Sequence, residues 1–298
     1  MRNLLFAVAA LLLCAPCFAQ EKAPAPVAVV ETASLEPLFA RASALLESGV
    51  KPLVVFDIDN TLLVSDLYLG SEAWYSSAYG RIAPLREADP AAFAPKNECL
   101  VRLLSRVQAA APWRLTEPDL PRRLAALQAA GAQVLALTSR NHLAVELTLA
   151  SLKKQGLDFA RSAPWRELEG FSPWPGARAL IYKKGVCFGR GEDKGRILLA
   201  LFEKFSYTPQ AVLFADDSAK NAASVSSALR GAGITVTAYR YSAFDALMAE
   251  QAGGADASRA QLKYFVEKGE LISNARARAL PPGARLSEKE ERAVLFCD

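Results

Sequence analysis

Histidine is almost missing from this chain: His142 is the single one among 298 residues. Cysteine is nearly as scarce. Five occur, and Cys14 and Cys17 fall in the apolar N-terminus, which leaves Cys99, Cys187 and Cys297. No CxxC and no Cys/His pair with metal-ligand spacing remains, so zinc chemistry is not expected. Three cysteines allow one disulfide and one thiol, or none. Cys297, next to last, is placed to staple the tail to the body, with its partner open. Blocks of Lys or Arg are also lacking, and the net charge is only +4, so no nucleic-acid partner is expected. What is plentiful is apolar residue, at 52%, enough for a sizeable core and too much for a disordered chain.

The first twenty residues, MRNLLFAVAALLLCAPCFAQ, carry a positive start at Arg2, an apolar run from Leu4 to Leu13 and a small-residue exit at Ala19. This is the layout of a secretory signal peptide over residues 1–19. The run is shorter than the ~20 residues that span a bilayer. A periplasmic or secreted protein is therefore expected, with no transmembrane anchor after cleavage. Cleavage removes Arg2 and no acid, taking the charge from +4 to +3, a slight fit to an anionic small molecule. Residues 20–33, rich in Pro and Ala, read as a linker.

Four short apolar runs follow: LVVF at 53–56, QVLALTSR at 133–140, AVLFADDS at 211–218 and ITVTAYRY at 234–241. Continuous apolar runs suit parallel strands covered on both faces. Segments with helical spacing alternate with them at 34–48, 119–131, 142–156, 192–205 and 220–233. The expected fold is α/β, a doubly wound and mainly parallel sheet, with its core over 34–63 and 118–250. Two stretches interrupt the alternation. Residues 64–117 hold helix formers with Trp74, Tyr75, Tyr79 and Trp113 and no obvious strand, which reads as an inserted helical cap. Residues 157–191 contain β-type runs around KKG, which reads as a hairpin insert. Residues 251–298 are expected to be an extension, helical at first and then loop and exposed surface over LPPGARLSEKEER.

Sheets of this type bind ligands beyond the carboxyl ends of their strands. Polar residues gather there. Asp57 and Asp59 close the first run, Thr138, Ser139 and Arg140 the second, and Asp216, Asp217 and Ser218 the third. Lys194 stands at the start of the helix before the third. Two carboxylates one residue apart at the end of a buried strand repel each other unless a cation lies between them. Solvated turns and helix caps are the plainer readings of the same residues. Arg140 and His142 are expected at the surface, Asn221 either near the acids or in a plain first helical turn, and Trp74, Tyr75 and Tyr79 in the core of the inserted segment, with stacking on a substrate as the alternative.

In order along the chain, DIDNTL, LALTS, EDKG and LFADDSAKN resemble the four motifs of the haloacid dehalogenase (HAD) superfamily, and the insertion stands where that superfamily carries a cap. The likeness covers roughly residues 34–245, and the exported start further resembles secreted acid phosphatases and an uncharacterised exported bacterial branch of the superfamily. It implies a Rossmann-like core and a Mg²⁺-dependent phosphatase for a small phosphorylated substrate. Asp57 would be the nucleophile, forming an aspartyl-phosphate. Asp59 would be the general acid and then the base. Thr138, Ser139 and Lys194 would hold the phosphoryl group. Asp57, the Asp59 carbonyl and Asp216 or Asp217 would bind Mg²⁺. A phosphotransferase sharing the first half-reaction, and an inactive fold kept for binding, stay open as alternatives.

Overall fold

A computed structural model describes residues 29–298. The expected signal at 1–19 and residues 20–28 of the expected linker lie outside the described residues. The strands are β1 (Val29–Thr32), β2 (Leu53–Phe56), β3 (Leu63–Val64), β4 (Arg114–Leu115), β5 (Gln133–Thr138), β6 (Leu168–Phe171), β7 (Leu180–Lys183), β8 (Val186–Phe188), β9 (Val212–Asp216) and β10 (Val236–Tyr241). The α-helices are α1 (Glu36–Glu47), α2 (Glu72–Gly80), α3 (Leu85–Ala88), α4 (Pro90–Ala110), α5 (Leu120–Ala129), α6 (Val145–Lys154), α7 (Lys194–Lys204), α8 (Ala219–Gly231), α9 (Asp245–Ala252), α10 (Ala255–Lys268), α11 (Asn274–Ala279) and α12 (Glu288–Phe296).

Eight strands form one sheet in the order β1-β10-β9-β2-β5-β8-β7-β6. Pairing is parallel from β1 to β8, and β7 runs antiparallel to β8 and β6. The apolar runs explain this placement. All four residues of β2 are buried because both faces of the sheet are covered. Val54, Phe56, Val134, Ala136 and Leu213 pack with α1, α5 and α6 on one face. Leu53, Val55, Leu135, Leu137, Val212 and Phe214 pack with α7 and α8 on the other. Strict alternation of side chains along each strand divides the two layers. The α/β, mainly parallel and doubly covered sheet expected from the sequence is present.

Successive parallel strands fall on opposite sides of β2: β5 joins it on one side and β9 on the other. The tip of β2 is thus a topological switch point, where such sheets open a crevice.

Between β3 and β4 the chain makes α2, α3 and α4. Leu69, Trp74, Ile82, Leu100 and Val107 form a separate core there, completed by Leu262 and Phe265 of α10 and Leu295 and Phe296 of α12. Cys99 of α4 is joined to Cys297 by a disulfide, with Cα atoms 6.1 Å apart, and Cys187 is a buried thiol.

Several expectations need correction. The linker ends before 29, because Val29–Thr32 adds to the sheet edge beside β10. Residues 64–117 do contain strand: Arg114–Leu115 pairs antiparallel with Leu63–Val64 and closes the root of the insertion. The segment 280–292 is not all loop, since Ser287 opens α12 with a capping box to Glu290. The S-x-x-E spacing that signals such a start was present in the sequence. Among the described residues no helix is long and apolar enough to cross a membrane.

Candidate functional site

The site starts where β2 runs out. The Asp57 N–H donates to the Ala215 carbonyl of β9 at 2.8 Å, so the ladder holds for one residue past the strand. The chain then turns tightly, with Asn60 in the left-handed region at φ 58°, a conformation Asn tolerates better than most residues. Thr61 Oγ1 accepts from the Asp217 N–H at 3.0 Å, and Asn60 Nδ2 donates to Asp217 Oδ2 at 3.2 Å. These contacts lock the turn after β2 onto the tip of β9 and bring Asp57 beside Asp216 and Asp217.

Lys194 enters from the first turn of α7. Asp193 caps that helix, its side chain accepting from the Arg196 N–H at 2.8 Å. Gly195 allows the approach: a Cβ there would lie 2.6 Å from the Ser224 carbonyl and 2.8 Å from Ala228 Cβ of α8. Lys194 is 2% exposed, and its Nζ donates to Asp57 Oδ1 and, at 2.6 Å, to Asp216 Oδ2. Asp216 also accepts from the Ser218 N–H at 2.9 Å and from Asn221 Nδ2 at 3.0 Å. Asn221 therefore belongs to the shell around the acids.

One lysine does not balance three buried carboxylates. Burial raises the Asp57 pKa well above the usual range; Lys194 opposes this and Asp216, Asp217 and Asp59 add to it. Burial, then Asp216 and Glu72, push Asp217 up to about 7. Burial alone would lower Lys194, yet the charges of Asp216 and Asp57 outweigh it and hold its pKa above that of an ordinary lysine. The set is short of positive charge. Oxygen atoms of Asp57, Asp216 and Asp217 lie within 4.8 Å of one another. An all-oxygen set with no His or Cys fits a hard divalent cation of the Mg²⁺ or Ca²⁺ kind.

Asp59 goes elsewhere. Its carboxylate accepts from Arg140 Nη2 at 2.8 Å and from Nε at 3.0 Å. Arg140, expected at the surface, is 5% exposed. Its Nη1 donates to Thr148 Oγ1 of α6 at 3.0 Å and its guanidinium lies 4.6 Å over the Trp113 ring. The planar guanidinium satisfies a carboxylate, a hydroxyl and an aromatic face at once, which removes it from solvent. Nothing in the sequence signalled this, because Asp59 and Trp113 come from distant segments and only Thr148, in the helix that follows Arg140, is close in the chain.

A cavity of about 560 Å³ opens above these groups, between the strand tips and the inserted helices. Asp57, Asp59, Ser139, Lys194 and Asp217 line it. Asp216 and Thr138 lie behind that wall; Thr138 is fully buried and its Oγ1 accepts from the Arg140 N–H at 3.1 Å. Tyr75, Tyr79 and Trp113 line the cavity, whereas Trp74 is in the core of the insertion. His142 begins a short 3₁₀ turn at the cavity wall and stays exposed. Among the lining residues that were not singled out in the sequence are the charged groups Glu72, Arg178 and Arg190. Glu72, in the first turn of α2, keeps solvent access overall. Partial burial and the charges of Asp216 and Asp59 raise its pKa.

Fold and site together define a class: an α/β domain with a carboxylate and lysine centre at the switch point of its sheet, roofed by an inserted helical segment. Within that class the chain belongs to the family described as protein of unknown function (DUF2608), whose model matches residues 38–278. The match runs from α1 through most of α11 and takes in every residue of the site. No curated protein matches the chain.

Proposed function

We propose that the protein is a divalent-cation-dependent phosphatase of HAD type, acting on a small phosphomonoester. The observation that carries this reading is Lys194, buried between Asp57 and Asp216 at the tips of two adjacent parallel strands under a cavity. A structural ion pair does not require a ligand-sized space above it. A site for a dianion does require fixed positive charge at its floor.

In this reading Asp57 attacks phosphorus, the bond from phosphorus to the ester oxygen breaks, and an aspartyl-phosphate forms on Asp57. Asp59 gives its proton to the departing alkoxide and then takes one from the water that opens the acyl phosphate, so the enzyme returns to its starting state. To do so Asp59 turns from Arg140 toward the reacting oxygen, and Arg140 is its positioning residue. Lys194 neutralises charge on the nucleophile and the phosphoryl oxygens. Ser139 is the better exposed hydroxyl for a phosphoryl oxygen, with Thr138 packed behind it. Mg²⁺, held by Asp57, Asp216 or Asp217 and the Asp59 carbonyl, would supply charge neutralisation where two anions meet. The insertion over 64–117 serves as the cap, contributing Glu72, Tyr75 and Tyr79 to the wall.

Hydrolysis of an aryl phosphate by the purified chain tests this, with Mg²⁺, with chelator and beside Asp57→Asn. The expected result is turnover that needs the metal and disappears in the variant. Turnover that survives Asp57→Asn would remove Asp57 as nucleophile and the reading with it.

A further inference from the structure

The hairpin side of the cavity carries positive charge that the chemistry above does not use. Arg178 precedes β7 and Arg190 follows β8, so the antiparallel pairing of these strands brings the two arginines together. The Gly189 N–H donates to the Thr138 carbonyl at 2.7 Å, which places Arg190 one residue from the tip of β5.

Each guanidinium is fixed by the other's segment. Arg178 Nη1 donates to the Arg190 carbonyl, and Arg190 Nη1 donates to the Ala179 carbonyl at 3.3 Å. Among the described residues the carboxylate within 4.0 Å of either is Glu192, 3.9 Å from Arg178 Nε, and Glu98 on the cavity wall adds a more distant negative charge that acts on Arg190. Arg190 has no carboxylate within 4.0 Å among the described residues. Burial, and then the like charge of Arg178, lower the Arg190 pKa, the mark of two cations sharing one wall. Lys194 and Arg140, by contrast, are already paired with Asp57, Asp216 and Asp59.

We propose that Arg178 and Arg190 form a second anion subsite, so that the substrate is a phosphomonoester carrying another anionic group, a phosphate or a carboxylate. This rests on the phosphatase reading for the first phosphate. Guanidinium groups held as a pair match the oxygens of either anion by paired N–H donors. A cavity of about 560 Å³ is of the size that encloses a whole metabolite and far exceeds one phosphoryl group. Tyr75 and Tyr79, with ring centroids 5.9 Å apart, form the wall on the side of the insertion against which the body of such a molecule would lie.

Calorimetry on the Asp57→Asn protein with Mg²⁺ separates binding from turnover. The probes are fructose 6-phosphate against fructose 1,6-bisphosphate, and glycerol 3-phosphate against 3-phosphoglycerate. The bis-anionic member of one pair is expected to bind roughly tenfold tighter or more, as charge-assisted hydrogen bonds imply. Which pair does so tells phosphate from carboxylate. In Arg190→Gln, and separately in Arg178→Gln, the ratio is expected to fall toward one, with folding checked by thermal melt. Equal affinities in both pairs, no binding by either bis-anionic probe, or a preference that survives both substitutions would overturn the subsite. Hydrolysis by the unmodified chain without any preference removes the subsite and leaves the phosphatase. A preference that depends on Arg190 without hydrolysis removes the phosphatase and leaves the subsite.

Discussion

Asp217 links the site to pH. Its carboxyl is pushed up to about 7 in the metal-free protein by burial and by Asp216 and Glu72, against roughly 3.9 when unfolded. An acid whose folded pKa is raised binds more protons folded than unfolded. Stability therefore falls as pH rises between the two values, and the whole penalty is present above the folded pKa. A cation among Asp57, Asp216 and Asp217 removes that penalty. The increase in melting temperature given by Mg²⁺ over chelator is expected to be larger at about pH 8 than at about pH 5.5. Equal increases at the two pH values would take the cation away from Asp217. Arg140 makes a second case. Its fork holds Asp59 through Nε and Nη2, and lysine offers a single point charge in its place. Arg140→Lys is expected to lower kcat about ten- to hundredfold with KM little changed, because a misaligned acid affects the chemical step and not binding. A change confined to KM would make Arg140 a substrate contact instead.

Helix α7 delivers Lys194 only because it can lie directly against α8. The Cβ of an alanine at position 195 would meet the Ser224 carbonyl and Ala228 Cβ at under 3.0 Å, so α7 must move outward. Gly195→Ala is expected to destabilise the fold by about 1–3 kcal/mol, as overpacking does, and to lower activity by an order of magnitude or more through displacement of Lys194. Urea unfolding and steady-state kinetics on the one variant check both. Activity left intact at reduced stability would show that Lys194 does not depend on that approach. At this scale the sequence was informative for buried elements. The runs at 53–56, 133–138, 212–216 and 236–241 are strands because continuous apolar residues require cover on both faces. It was silent where pairing decides. Val29–Thr32 is half polar and becomes strand through β10, and Arg114–Leu115 through β3.

For the whole molecule, the disulfide joins two stretches that lie 198 residues apart in sequence. Cys297 ends α12, whose Leu295 and Phe296 complete the core of the inserted segment around Leu100 and Leu103. The chain end thus holds the roof of the site in place. Closing so long a loop restricts the unfolded chain, and such bonds contribute about 2–4 kcal/mol. Cys99→Ser is expected to lower the unfolding free energy by about that amount in urea titration. Reductant should reproduce the effect on the unmodified chain and do nothing further to the variant. The buried thiol of Cys187, pushed up to about 12 by burial, is not expected to react in either protein.

The sequence by itself determined the layered α/β plan and the strand-tip acids, because burial on two faces and the end of a strand are local properties that a run of residues displays. It also placed Asp57, Asp59, Asp216 and Asp217 at the ends of neighbouring strands and Lys194 at a helix start beside them, as one candidate set. Tertiary structure alone decided which cysteines pair, that Arg140 is buried against Asp59, Thr148 and Trp113, and that α10 and α12 build the roof. The hairpin expected over 157–191 pairs the flanks of Arg178 and Arg190, and the tertiary structure decided that this pair faces the cavity. The disulfide, the Asp59 and Trp113 contacts of Arg140 and the roof join segments far apart in the chain, whereas the two arginines meet across a local hairpin. In each case the energy comes from burial and charge pairing that exist only once the segments meet.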